Sequence, residues 1–162
     1  TMETMLLAGQ FLIALMPALW LALGAVENIR NPEVNRASVA EVCSMSRMRA
    51  VYPEQYAVFC RNRVEDPRVH AWMFRAILWA ECAVAVLFLA GAGALGLAVL
   101  GAVPAEAAKT LAMVGAAGFS AVWAGFLVGG QWFHYWCGFE SAQATHFAAT
   151  LWGIGTFLAL AV

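Results

Sequence analysis

Ala83-Val84-Ala85-Val86-Leu87-Phe88-Leu89-Ala90-Gly91-Ala92-Gly93-Ala94-Leu95-Gly96-Leu97-Ala98-Val99-Leu100-Gly101-Ala102-Val103 runs for 21 residues without a charge, and its reading decides the fold class. A helix rises 1.5 Å per residue, so about 20 apolar residues cross a hydrocarbon core about 30 Å thick. The apolar stretch extends back to residue 73, and three more stretches share the chain, at about 6–26, 110–133 and 144–162. Backbone groups find no water in hydrocarbon and must bond internally, so each stretch should be a helix. The expectation is an all-α membrane protein. It is a single domain over 1–162, a four-transmembrane-helix up-down-up-down bundle with helices at about 6–26, 73–103, 110–133 and 144–162.

Composition agrees. Hydrophobic residues make up 63% and charged residues 12%, against roughly 45–50% and 25% in soluble domains. A net charge of −1 provides no basic field for nucleic acid. The first stretch is longer than a signal-peptide core and lacks a basic leader and a small-residue cleavage site, so it is expected to remain in the mature protein.

Between the first two stretches lies a polar cap, about 27–70, holding seven of the nine basic residues and six acids. This mixture reads as a folded, solvated cap rather than a polybasic lipid-binding tail. Apolar spacing over 34–48 (Val39, Val42, Met45) suggests a short surface helix. Gly91, Gly93 and Gly96 form a small-residue strip that lets a neighbouring helix approach closely. The basic cap would be cytoplasmic by the positive-inside rule. Cys43 and Cys60 argue the other way, because a disulfide between them would need an oxidising compartment. That disulfide is expected here, closing a loop of about 18 residues and contributing about 3 kcal/mol.

Glu81 is the costliest residue, some 11 residues and about 16 Å along the second helix. An isolated carboxylate at such depth costs several kcal/mol. It should therefore be neutral or bonded, facing the bundle interior, with the indoles of Trp123 and Trp152 as donors. It is a proton or cation site, a cofactor contact, or a protonated or hydrogen-bonded acid that fixes helix packing. Arg75 is about 240° around the helix from Glu81 and is expected to snorkel toward the cap or to meet a cap acid. His70, His134 and His146 all fall on the cap side, with Glu27, Glu140 and Cys137 at similar depth. They lack recognised metal-ligand spacing, so no metal site is assigned. Trp132, Phe133, His134, Tyr135 and Trp136, with Trp72, Trp79 and Trp20, read as an interfacial aromatic belt in contact with lipid or a partner. No Gly-rich phosphate loop, nucleophile elbow or pair of catalytic acids occurs.

These residues resemble a bacterial family of predicted small integral membrane proteins, a domain of unknown function. The likeness rests on Glu27-Asn28, on Val39 to Met45, and on Trp72 to Ile77 continuing through Glu81. Its strongest piece is Trp123-Ala124-Gly125-Phe126-Leu127-Val128-Gly129-Gly130-Gln131-Trp132-Phe133-His134-Tyr135-Trp136. The family usually has an acid in place of Gln131 and Met in place of His134-Tyr135, and its cap is shorter around Cys43 and Cys60. The resemblance implies four helices in a bacterial inner membrane, cytoplasmic termini and a periplasmic cap. It implies no activity.

The functional expectation is a non-enzymatic accessory subunit that binds and stabilises a larger membrane complex, such as an electron-transfer complex, respiratory or photosynthetic. Its partners would be lipids and other integral membrane subunits. No cofactor is assigned, with bound lipid or quinone as the open alternatives. The competing readings are an autonomous small transporter or channel using Glu81, or a quinone- or haem-linked redox protein.

Overall fold

Asp66 and Pro67 start the longest helix of the protein earlier than its apolar run begins. The Asp66 carboxylate accepts the Arg68 N–H at 2.8 Å, and Pro67 occupies the first helical position, where its missing N–H costs nothing. In the computed structural model, which describes residues 1–162, this helix is α5, Pro67–Val99. The others are α1 Met2–Arg30, α2 Pro32–Ser44, α3 Ser46–Val51, α4 Pro53–Phe59, α6 Ala105–Trp132 and α7 Glu140–Leu160, with a 3₁₀ turn at Cys60–Asn62 and no strands.

Three helices, α1, α5 and α6, are long and apolar enough to cross a membrane. The expected fourth span is helical, but Gln143, Thr145, His146 and Thr150 dilute its apolar character, and α7 is not among the three.

The centre of the protein is the α5–α6 contact. A methyl group added at Gly91 would lie 2.6 Å from Ala112 Cα, and one added at Gly115 would lie 2.7 Å from Phe88 Cα. The two backbones therefore approach as only small residues allow. Around this seam Phe88, Ala92, Leu95, Ala112, Ala116 and Phe119 are fully buried. α1 lies along α5 in the opposite direction, with Phe11 against Gly96 and Asn28 against Glu81. α7 lies along α6, where Gly153 admits Ser120 and Phe119. Gln10 closes the ring by donating its side-chain amide to Ala159 O at 3.0 Å, filling a carbonyl in the last turn of α7 that has no helical partner. α5 and α7 make no extended contact and occupy opposite corners. The glycine strip is thus mostly consumed inside: Gly91 faces α6, Gly96 faces Phe11, and only Gly93 looks into open space.

The expected surface helix over 34–48 is two helices. Met45 adopts a left-handed conformation (φ 53°), breaking the run between α2 and α3. This turn buries Cys43, Met45 and Met48 against Phe133 and Cys137 of the α6–α7 loop. Polar ties reinforce the contact: Asn62 donates its side-chain amide to Trp132 O at 2.9 Å, and Tyr52 donates its hydroxyl to Glu140 at 3.0 Å. Arg47 lies 4.8 Å over the Phe139 ring and also crowds Gly138, whose φ of 98° suits glycine.

Gly91→Ala and Gly115→Ala should each lower the thermal midpoint in mild detergent, by the equivalent of about 1–3 kcal/mol for forcing two backbones apart. Gly93→Ala, whose methyl group meets nothing, should not lower it and should raise it by the equivalent of up to about 1 kcal/mol of helix propensity. Equal behaviour of all three variants would contradict the α5–α6 packing described here.

Candidate functional site

Glu81 is 5% exposed, and its partner is neither of the expected indoles. Asn28 Nδ2 donates to Glu81 Oε2 at 2.7 Å. Asn35 of α2 in turn donates through Nδ2 to Asn28 Oδ1. The result is a polar ladder from Asn35, exposed on the cap, through buried Asn28 in α1 to buried Glu81 in α5. Hydrogen bonding of this kind offsets part of the cost of burying the polar side chains of Glu81 and Asn28. Each rung belongs to a different helix, so the ladder fixes the cap helix to both α1 and α5.

The ladder also sets the depth of Glu81. Asn28 is two residues from the end of α1 at Arg30, so Glu81 lies just beneath the cap rather than halfway through the bundle. Distance along α5 overstated its depth because the helix begins at Pro67 and projects beyond the end of α1.

Trp123 instead joins an aromatic group between α1, α6 and α7. Its ring is 5.1 Å from Trp20 and 6.1 Å from Phe119, and Trp152 lies 6.0 Å from Trp20. The Trp123 indole N–H is buried without an acceptor. Tilted and edge-on aromatic pairs at these separations are favourable beyond simple area burial. Trp20, itself 40% exposed, therefore packs within this group instead of standing in a cap-side belt, ten residues short of the end of α1 at Arg30.

The three histidines do not converge. His70 bonds through Nε2 to Val64 O at 2.7 Å. His134 stacks on Phe59 at 4.0 Å. His146 stacks on Phe126 and sits with Nδ1 3.3 Å from the Tyr135 hydroxyl. Each is held in its own environment, and no three His, Cys, Asp or Glu side chains assemble.

Cys43 and Cys60 are not joined. Cys43 is buried with its sulfur 3.5 Å from Met73 Sδ, while Cys60 faces Ala57 O at 3.7 Å. Cys43 lies on the buried face of α2, and burial pushes its thiol up to about 11, so it stays protonated and unreactive at neutral pH. The Tyr52 hydroxyl is raised above its ordinary value by its hydrogen bond to Glu140.

The aromatic run divides by direction. Phe133 and Tyr135 are buried, His134 is half-buried, and Trp132 and Trp136 turn outward. Trp72 also points outward, and Arg75 is exposed without the expected cap acid. Asn28, Asn35 and Gln10 were not assigned as partners from the sequence. A polar residue inside or at the end of an apolar stretch was the available signal, but which helix it faces depends on inter-helix register.

Asn28→Ala removes the donor to Glu81 and should destabilise the protein by about 1–3 kcal/mol, the cost of an unsatisfied buried polar group. Glu81→Gln preserves an acceptor for Asn28 and should cost less. Thermal melts in detergent compare the two; a neutral Asn28→Ala would show that the ladder adds no stability.

A family model described as "Predicted small integral membrane protein" matches residues 6–162. No curated protein and no solved structure matches the chain.

Proposed function

The chain belongs to this family of predicted small integral membrane proteins, and from that premise we propose that it is a non-enzymatic accessory subunit binding a larger membrane protein complex. The observation that carries the reading is a shallow, open, outward groove between α6 and α7, lined by Ala117, Ser120, Ala121, Ala124, Thr150, Ile154 and Phe157. Its α6 side is built from small residues at helical spacing, and Gly125 and Gly129 beyond them also face open space. Such a surface accepts a transmembrane helix at close range. The strip formed by Gly91 and Gly96 does not serve, being filled by α6 and Phe11. At the same end as the cap, Trp132 and Trp136 turn outward and provide rigid amphipathic anchors for a partner at the interface.

On this reading the chain crosses a bacterial inner membrane four times, with α7 as the fourth span of an up-down bundle. α6 shields the polar side of α7 in part: Ser120 donates to Thr150 O at 3.3 Å, and His146 stacks on Phe126. We place the termini in the cytoplasm and the cap in the periplasm, following the family resemblance over the arginine count of the cap.

A second reading, a proton or cation site at Glu81, draws on the ladder reaching the exposed Asn35. It ranks below the first because both amides are already committed to hydrogen bonds and the helices beneath Glu81 are filled with Phe88, Ala92 and Leu95.

Ala121→Trp fills the groove from an exposed position. Purified gently from native membranes, the original chain should co-migrate with larger membrane proteins, and the variant should lose them while keeping its thermal midpoint. A chain that purifies alone and carries ion flux in liposomes, with flux abolished by Glu81→Gln, would favour the second reading.

A further inference from the structure

The outward face of α5 carries Arg68, Trp72, Arg75 and Trp79, spaced so that all four lie within a narrow sector of the helix. Trp72 is 72% and Trp79 76% exposed, large values for indoles. Arg75 is exposed and has no carboxylate within ion-pair distance; the one salt bridge of the protein joins Arg63 and Glu65. α5 has 33 residues, so it is about 50 Å long against a hydrocarbon core of about 30 Å. Its far end is fixed by the short turn into α6, which begins at Ala105. About 20 residues back from Val99 bring the hydrocarbon boundary near Ala80. Trp79 then sits at that boundary and Arg75 about 6 Å above it, at the depth of lipid phosphates.

We propose that Arg75 binds the phosphate of an anionic phospholipid, with Trp72 and Trp79 framing the headgroup and upper acyl chain. A guanidinium presents a planar fork of N–H donors that matches two phosphate oxygens. Indoles one turn above and below it are amphipathic and favour this layer. Arg68, a further turn outward, adds positive charge that favours a net-anionic headgroup over a zwitterionic one. The site is separate from the α6–α7 groove: it belongs to the corner opposite α7.

The test is native mass spectrometry of the purified full chain in detergent, titrated with dioleoylphosphatidylglycerol or dioleoylphosphatidylcholine. The original chain should retain one phosphatidylglycerol in preference to phosphatidylcholine. Arg75→Gln should weaken that retention about five-fold, the effect of about 1 kcal/mol for one cation at an anionic lipid surface. Arg75→Lys keeps the charge and should fall between the two, and Arg36→Gln, an exposed cap variant, should match the original chain. Equal retention of both lipids, an unchanged Arg75→Gln, or an equal loss in Arg36→Gln would each overturn the proposal.

Discussion

Everything else in the structure is arranged around the close approach of α5 and α6. In a bilayer the hydrophobic effect offers little between helices, because lipid tails are as apolar as side chains. Association must then come from contact itself, and contact is greatest where no Cβ intervenes. Gly91 on Ala112 and Phe88 on Gly115 provide that contact. The resulting pair offers a flank on each side, one taken by α1 and one by α7. Gln10 and the Trp20 aromatic group then join α1 to α7 across the remaining side.

Above this apolar seam the protein changes its means of cohesion. The Asn35–Asn28–Glu81 ladder draws one residue from each of α2, α1 and α5, and the cap is further tied to the α6–α7 loop by Tyr52, Asn62 and Arg47. Polar bonding is concentrated where three chain segments meet beneath the cap, and packing of small residues dominates below it. The outward surfaces divide accordingly. The α6–α7 groove is small and apolar, suited to a helix, whereas the upper α5 face is cationic and aromatic, suited to a headgroup.

Helix identity was legible because run length and charge exclusion are properties of single segments. The membrane class and the long helices α1, α5 and α6 followed from these. What failed depended on relations between segments. The cost of burying Glu81 was readable, but its donor was not, because Asn28 becomes its neighbour only through the antiparallel register of α1 and α5. The two cap cysteines face different surroundings for the same reason: Cys43 packs against Met73, Phe133 and Cys137 of other segments, while Cys60 lies against Ala57 O. The glycine strip was recognised as a packing device, but which side of α5 it served is set by the position of α6. For α7, the polar residues Gln143 and His146 weaken a signal that length alone had suggested.

A helix of another membrane protein seated in the α6–α7 groove, as proposed above, would lie within reach of Ala121. A photo-crosslinking amino acid placed at Ala121, activated in native membranes, tests it most directly. The expected result is a discrete heavier adduct containing a second integral membrane protein, absent when the same group replaces Val86 on the exposed face of α5. Adducts with lipid alone at Ala121, identical to those at Val86, would contradict it.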